Sequence, residues 1–245
     1  MAARDVWGIG PRRGAFLRTQ HIETAYDFKC ADTAWVRRHL SVVSARTQPE
    51  LRGISCLPLD EVREPKQQIM SSRSFGTPVR ELAALKEAIA QYTTRATEKL
   101  RRQHSLATTL TVFISTNVFR EDERQYHKSA TVTLPRATAY TPEILCVAHR
   151  ALERIYRAGY RYHKAGVMLG GFVSDAYEQG DLFAAPPDPR HEALMHVMDR
   201  VNQRFGRDTL HLVSVGTRGH RAWEMKQAHL SPHYTTRWSD LARVR

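Results

Sequence analysis

The stretch from Val79 to Gln103 limits the fold more than any other part of the chain. Leu82, Leu85, Ile89, Tyr92, Ala96 and Leu100 recur at helical spacing on one face, which predicts a long amphipathic helix. Short alternating runs surround it. Lys66–Val79 reads as a strand with Ile69, Phe75 and Arg73 on one face and Met70, Ser72 and Ser74 on the other. In Thr108–Thr116, Leu110, Val112 and Ile114 alternate with Thr109 and Thr111, and in 129–134, Ala130, Val132 and Leu134 alternate with hydroxyls. Thr141-Pro142 then opens a second helix, with Thr141 as N-cap, a stripe of Leu145, Ala148, Leu152 and Ile155, and Gly159 as its end. A last strand is expected over 160–169. The order strand, helix, strand, strand, helix, strand (βαββαβ) defines an α+β unit: a four-stranded sheet with both helices on one face and the other face open.

The charge says what an open face could meet. Lys and Arg number 37 against 25 Asp and Glu, a formal net charge of +12. Such an excess favours a polyanion, with nucleic acid ahead of an anionic membrane surface. The basic residues run through the folded-looking segments instead of gathering on one amphipathic helix, and no apolar run is long enough to span a bilayer, so no membrane partner is expected. Ser72, Arg73 and Ser74 in the first strand, Lys128 before the third and Arg161 and Lys164 in the last are the candidate phosphate contacts. Hydroxyls and guanidinium groups donate to phosphate oxygens without reading bases. Arg95, Lys99, Arg101, Arg102 and His104 crowd the end of the long helix, where its dipole accounts for part of their placement.

The flanks differ in texture. Gly8-Ile9-Gly10-Pro11-Arg12-Arg13 frees the backbone for a tight turn ahead of a helix over 12–19, with a second short helix over 22–28. Gly8, Gly10, Arg12 and Arg13 would suit phosphate binding in a helix-hairpin-helix; a plain packing corner fits six residues equally well. A helix is expected over 34–45 with Trp35, Leu40 and Val43 inward, and Pro49 and Gly53 mark a break. Asp60-Glu61 and Glu121-Asp122-Glu123 read as solvated acidic spots, and His229 and His233 as separated by Pro232, so no metal site is expected. Cys30, Cys56 and Cys146 are far apart and expected to be buried thiols in a reducing cytoplasm. Between residues 170 and 190 the composition turns to Gly, Ser, Asp and Pro around Gln179-Gly-Asp-Leu-Phe183, a peptide for a partner's pocket or for folding back. A small α+β tail is expected beyond it: a helix over 191–205 carrying Leu194, Met198, Val201 and Phe205, and a strand over 209–215.

Ser72-Arg-Ser-Phe-Gly76, Arg95–Arg101, Gly159–Leu169, Trp223-Glu-Met-Lys226 and Leu230–Trp238 together resemble the C-terminal portion of a UmuC-type Y-family DNA polymerase. The resemblance implies a helical thumb over 1–50, a linker over 51–66 and a DNA-gripping little finger over 67–172. It further implies a linker over 173–192 with Gln179, Leu182 and Phe183 as sliding-clamp anchors, and a tail domain over 193–245. It implies primer-template DNA and the sliding clamp as partners, with a UmuD-type subunit and RecA besides, in a bacterial, nucleoid-associated, cytoplasmic role in SOS translesion synthesis. The family's palm, which holds Mg2+ on carboxylates, precedes its thumb, and no residue here matches it. The expectation is therefore no catalytic residue and no cofactor in this chain, and no polymerisation by it alone. A stand-alone, non-catalytic DNA- and clamp-binding module is the alternative.

Overall fold

The structure, a computed structural model, describes residues 1–56, 65–176, 188–216, 221, 223–226 and 230–241. The chain divides into two compact units, Met1–Glu64 and Pro65–Arg245.

The first unit is helical: α1 (Pro11–Thr19), α2 (Ala25–Cys30), α3 (Thr33–His39) and α4 (Val42–Leu51). Val6, Ile9, Leu17, Phe28 and Val36 form its small core. Caps set its boundaries. Thr24 and Asp27 form a reciprocal capping box on α2, and the backbone and hydroxyl donors of Thr24 hold the Asp27 carboxyl below its usual range. The single helix expected over 34–45 is two, because the chain turns at Leu40 and the Ser41 hydroxyl accepts from the Ser44 amide to start α4. Val36 takes the buried place, while Val43 is exposed. Pro49 lies inside α4 and does not end it; the stop comes at Gly53, whose φ of 85° needs glycine.

The second unit contains the expected order: β1 (Ile69–Val79), α5 (Leu82–Arg102), β2 (Ser105–Ser115), β3 (His127–Thr138), α6 (Thr141–Ile155) and β4 (Tyr162–Gly170). The strands form an antiparallel sheet in the order β1-β4-β2-β3, and a two-residue β5 (Val173–Ser174) pairs with the start of β2. Both helices lie on one face. There Leu110, Val112 and Ile114 of β2 and Ala165, Val167 and Leu169 of β4 are fully buried against Leu85, Ile89, Ala96 and Leu100 of α5 and Ile144, Ala148 and Leu152 of α6. Thr141 is the first residue of α6 and not its cap. Its hydroxyl is instead buried against that of Thr97, 2.8 Å away, and accepts from Arg101 at 2.9 Å. The helix ends at Ile155, and Gly159, at φ 88°, shapes the turn that follows.

A third layer covers α5. Asp199 of the helix α7 (Pro189–Phe205) and Asp208, Leu212 and Val215 after it reach the side of α5 that faces away from the sheet. Together with α6, whose Leu145 also covers Ala90, this explains why α5 is buried at seven consecutive positions, Ala88–Thr94, where a helix covered on one side would alternate. Leu212 and Val215 cover Ala90, and Trp223 enters the main core edge-on to Tyr92, ring centroids 6.1 Å apart. The cations of α5 are tied into this layer. Arg101 forks onto Asp199 at 2.6 and 2.7 Å and also donates to the Ala139 carbonyl, while Arg95 meets Asp208 at 2.6 Å.

Two expectations for this segment change. On α7, Met195 and Met198 are buried, while Leu194 and Phe205 are exposed. Residues 209–215 form no strand: Asp208 takes φ 61° and Val213–Val215 is a 3-10 turn that sets Val215 against α5 and leaves Val213 exposed. The described part of the tail holds a helix and 3-10 turns only. The cysteines also differ from expectation: Cys30 and Cys146 are exposed and Cys56 half-buried. Cys146 sits on the outer side of α6 beside the Arg150 guanidinium, because Leu145 and Ala148 take the inner positions.

Candidate nucleic-acid interface

Strand register turns the sequence alternation into rows across the sheet. On the face away from the helices one row runs Ser74, Lys164, Ser115, His127. The next runs Ser72, Gly166, Phe113, Ser129, and the next Met70, Met168, Thr111, Thr131. A further row joins Gly170, Thr109 and Thr133. No helix covers this face, and its side chains are half-buried or exposed apart from the glycines. Its chemistry is hydroxyl-rich, with Ser72 and Ser74 on edge strand β1 and Ser129, Thr131 and Thr133 on edge strand β3. The Thr111 and Thr131 hydroxyls are 2.9 Å apart and order each other across the strands.

The middle of this face is flat for a specific reason. A Cβ at Gly166 would lie 2.5 Å from Cζ of Phe113 and 2.4 Å from Cβ of Ser72. The Phe113 ring therefore lies over the Gly166 backbone and reaches toward β1, which leaves an apolar tile between two hydroxyl margins. Sequence reading missed Phe113 and Gly166. The signal was present, because the alternation that sends Val112 and Ile114 inward sends Phe113 outward.

The expected site residues are not all on this face. Ser72, Ser74 and Lys164 are brought together on it. Arg73 and Lys128 belong to one row with Ala165 and Ile114, both fully buried beneath the helices, so the two cations start from opposite sheet edges on the helix side. Arg73 donates to the carbonyl of Ser72 at 2.8 Å. Its charge also opposes the burial that pushes the Tyr92 phenol well above its usual range. Arg161, just before β4, pairs with Glu123 of the β2–β3 loop at 2.8 Å. The open face is thus richer in hydroxyls and poorer in free cations than the composition suggests.

In the helical unit Gly8, at φ 86°, makes the turn, and Gly10 is the N-cap of α1 with no side chain on the first amides. Arg12 is exposed, while Arg13 donates to the Gly8 carbonyl at 3.0 Å and braces the turn. Trp7, beside it, is 91% exposed. Gln179, Leu182 and Phe183 lie outside the described residues. Among the described residues no group of three or more His, Cys, Asp or Glu could hold a metal ion, and no helix is long and apolar enough to cross a membrane.

An α+β unit whose antiparallel sheet has one open hydroxyl face, preceded by a small helical unit, is the class of protein that these features define, and the sequence comparisons place it. Residues 66–182 match the impB/mucB/samB family C-terminal domain, and residues 192–244 match a domain of unknown function, DUF4113. The chain is 41% identical to Protein UmuC of Salmonella typhimurium over 242 residues, covering 98% of this chain and 57% of that protein. It is 39% identical to Protein ImpB of the same organism, covering 98% and 56%, and 40% identical to Protein MucB of Escherichia coli, covering 97% and 56%. The chain belongs to this UmuC/ImpB/MucB family and corresponds to the C-terminal portion of its members, spanning a little over half the length of the relatives it matches. The crystal structure of DinB from Sulfolobus solfataricus is a slighter likeness, with a TM-score of 0.34 at 13% identity over 69% of this chain and 47% of that one.

Proposed function

We propose that this chain is the DNA-holding part of an error-prone translesion DNA polymerase, with the open sheet face as its grip on the phosphate backbone. The observation that carries the reading is the register itself, which lines up hydroxyls on both edge strands of a face that no helix covers. The hydroxyl rows of β1 and β3 stand three strand spacings apart, about 14 Å. That is close to the ~12 Å width of the B-DNA major groove. Ser72 and Ser74 would meet one phosphate strand, Ser129 and Thr131 the other, and Lys164 would supply charge. Hydroxyl contacts to phosphate oxygens suit a grip that holds the duplex without reading sequence. The turn at Gly8 and Gly10 with Arg12 offers a second backbone contact in the manner of a thumb. Gln179, Leu182 and Phe183 would tether the chain to the sliding clamp. Dependence on a UmuD-type subunit and RecA, and a place in the SOS response, belong to the same reading, which assigns holding to this chain and phosphoryl transfer to metal-binding carboxylates elsewhere.

The test is equilibrium binding of the purified chain to primer-template DNA over a salt series. Affinity is expected to fall linearly with log salt, with a slope of about −0.9 per phosphate neutralised by Lys or Arg. Lys164→Ala should lower the slope by about one contact. Binding that ignores salt, or stronger binding to single-stranded RNA than to duplex DNA, would overturn the grip. Metal-dependent primer extension by this chain alone would overturn the division of labour.

A further inference from the structure

We propose that the Trp223–Lys226 segment, part of the region matching a domain of unknown function, is a positioning element for strand β1 that acts through Gly76 and holds Ser72 and Ser74 in their rows.

Strand β1 carries a defect in its pairing. Its pairing with β4 is regular from Ile69 to Ser74, then shifts register and resumes only at Val79. At Gly76, between those points, no residue of β4 is in register, and a backbone donor left without an acceptor is costly. The C-terminal segment supplies the partner: the Gly76 amide donates to the Glu224 carbonyl at 2.8 Å. The fit is close on both sides. A Cβ at Gly76 would stand 2.8 Å from the Glu224 oxygen, 2.9 Å from the Lys226 nitrogen and 2.7 Å from Lys226 Cγ. Two of those atoms are backbone, so a side chain at this position cannot be accommodated by a rotamer change. The glycine that closes Ser72-Arg-Ser-Phe-Gly76 is therefore shaped for the segment it receives.

The segment is itself anchored. Trp223 is 5% exposed, belongs to the main core with Phe75, and donates from Nε1 to Glu87 of α5 at 3.3 Å. Phe75 and Trp223 thus clamp the bulge of β1 to α5 from within, while Glu224 holds it from outside. Ser74 and Ser72 lie two and four residues before Gly76, so a change in the bulge's path reaches the hydroxyls first. Trp223 and Gly76 touch no nucleic acid in this account. They set where the hydroxyls that do would stand, and in that respect the inference rests on the proposed DNA grip.

The experiment uses the full chain with Trp223→Ala, Gly76→Ala, the pair together, and Trp223→Phe as the conservative variant. Amide hydrogen exchange is followed on β1 and β2 separately, alongside DNA binding across salt. The expected result is exchange about tenfold faster or more in β1 with β2 unchanged, in either single variant. DNA affinity at fixed salt should fall about tenfold, as in Ser72→Ala/Ser74→Ala, with the salt slope nearly unchanged because neutral hydroxyls release no counterions. The double variant should be no worse than the singles, since both break one contact, and Trp223→Phe should restore most of the protection. Equal acceleration in both strands would make Trp223 a global core residue and overturn the proposal. So would faster β1 exchange with unchanged DNA binding. If the parent chain binds no DNA, the grip fails and the link to the hydroxyls fails with it, while the exchange data still decide whether Trp223–Lys226 fixes β1.

Discussion

The two faces of the sheet are built from the same four strands and obey opposite rules. On the helix side, rows such as Ala165–Ile114 are fully buried, and tolerance is set by volume. On the open side the same strands present Ser72, Phe113, Thr111 and Ser129, and little depends on filling space. The difference teaches where charge is spent. Arg95 and Arg101 of α5 are paired with Asp208 and Asp199, so much of the basic charge around this helix is structural. In the proposed grip, the face left for a polyanion would work mainly through hydroxyls.

Substitutions can break that contrast, beginning with the largest effect. Ile89→Ala, in the fully buried heart of α5, should cost about 2–5 kcal/mol in denaturant unfolding while folded protein keeps its DNA affinity. A parallel loss of affinity per folded molecule would mean that the faces are not separable. Arg101→Ala removes a guanidinium shared by Asp199, Ala139 and Thr141 and should cost about 1.5–3 kcal/mol, read as a lowered urea midpoint. Its salt slope for DNA should stay unchanged, because Arg101 faces the third layer. Gly166→Ala sits on the boundary of the comparison. The added methyl lifts the Phe113 ring and should cost about 1–3 kcal/mol and weaken DNA binding together, whereas Phe113→Ala should weaken binding more than it destabilises.

His149 adds a pH arm on the helix side. Burial holds its imidazole below the ordinary value, and its Nε2 lies 3.1 Å from the Lys86 carbonyl; of the neighbouring charges, Lys86 reinforces the shift and Glu153 opposes it. With the folded value depressed, the unfolded chain binds the extra proton. Stability should be full above the ordinary imidazole range and fall as pH drops toward the folded value. Thermal unfolding from pH 8 to 5 should show this slope, and His149→Gln should flatten it. Ser72→Ala/Ser74→Ala should be the mildest for folding, within about 0.5 kcal/mol, yet visible in DNA affinity. An unchanged affinity would remove β1 from the grip.

Much of the sheet unit was legible because its elements are periodic. The stripe from Leu82 to Leu100 and the alternation of 110–114 each report one buried face, and the structure buries those faces. The sequence even placed Arg73 with Ile69 and Phe75, the inner parity, although its charge drew attention toward DNA. The tail was not legible for a different reason. Residues 209–215 carry apolar side chains suited to a strand, but their use was decided by Ala90 and Leu145, far away in sequence, which offered a surface to cover and no strand to pair with. The break at Ser41 was hidden because a mid-helix serine and an N-cap look alike until the backbone turns. Phe113 and Gly166 needed register, since only pairing shows that a ring on one strand lies over a glycine on the next.

The contact between Trp223 and Glu87 joins residues 136 positions apart. A ribosome adding about 5–20 residues each second takes on the order of ten seconds to cover that distance. For that interval β1 and α5 exist without Trp223 and Glu224, and the bulge of β1 is open to any extended chain nearby. The newborn protein thus passes through a stage in which this edge strand is at its stickiest, and the arrival of Trp223–Lys226 is what ends the exposure.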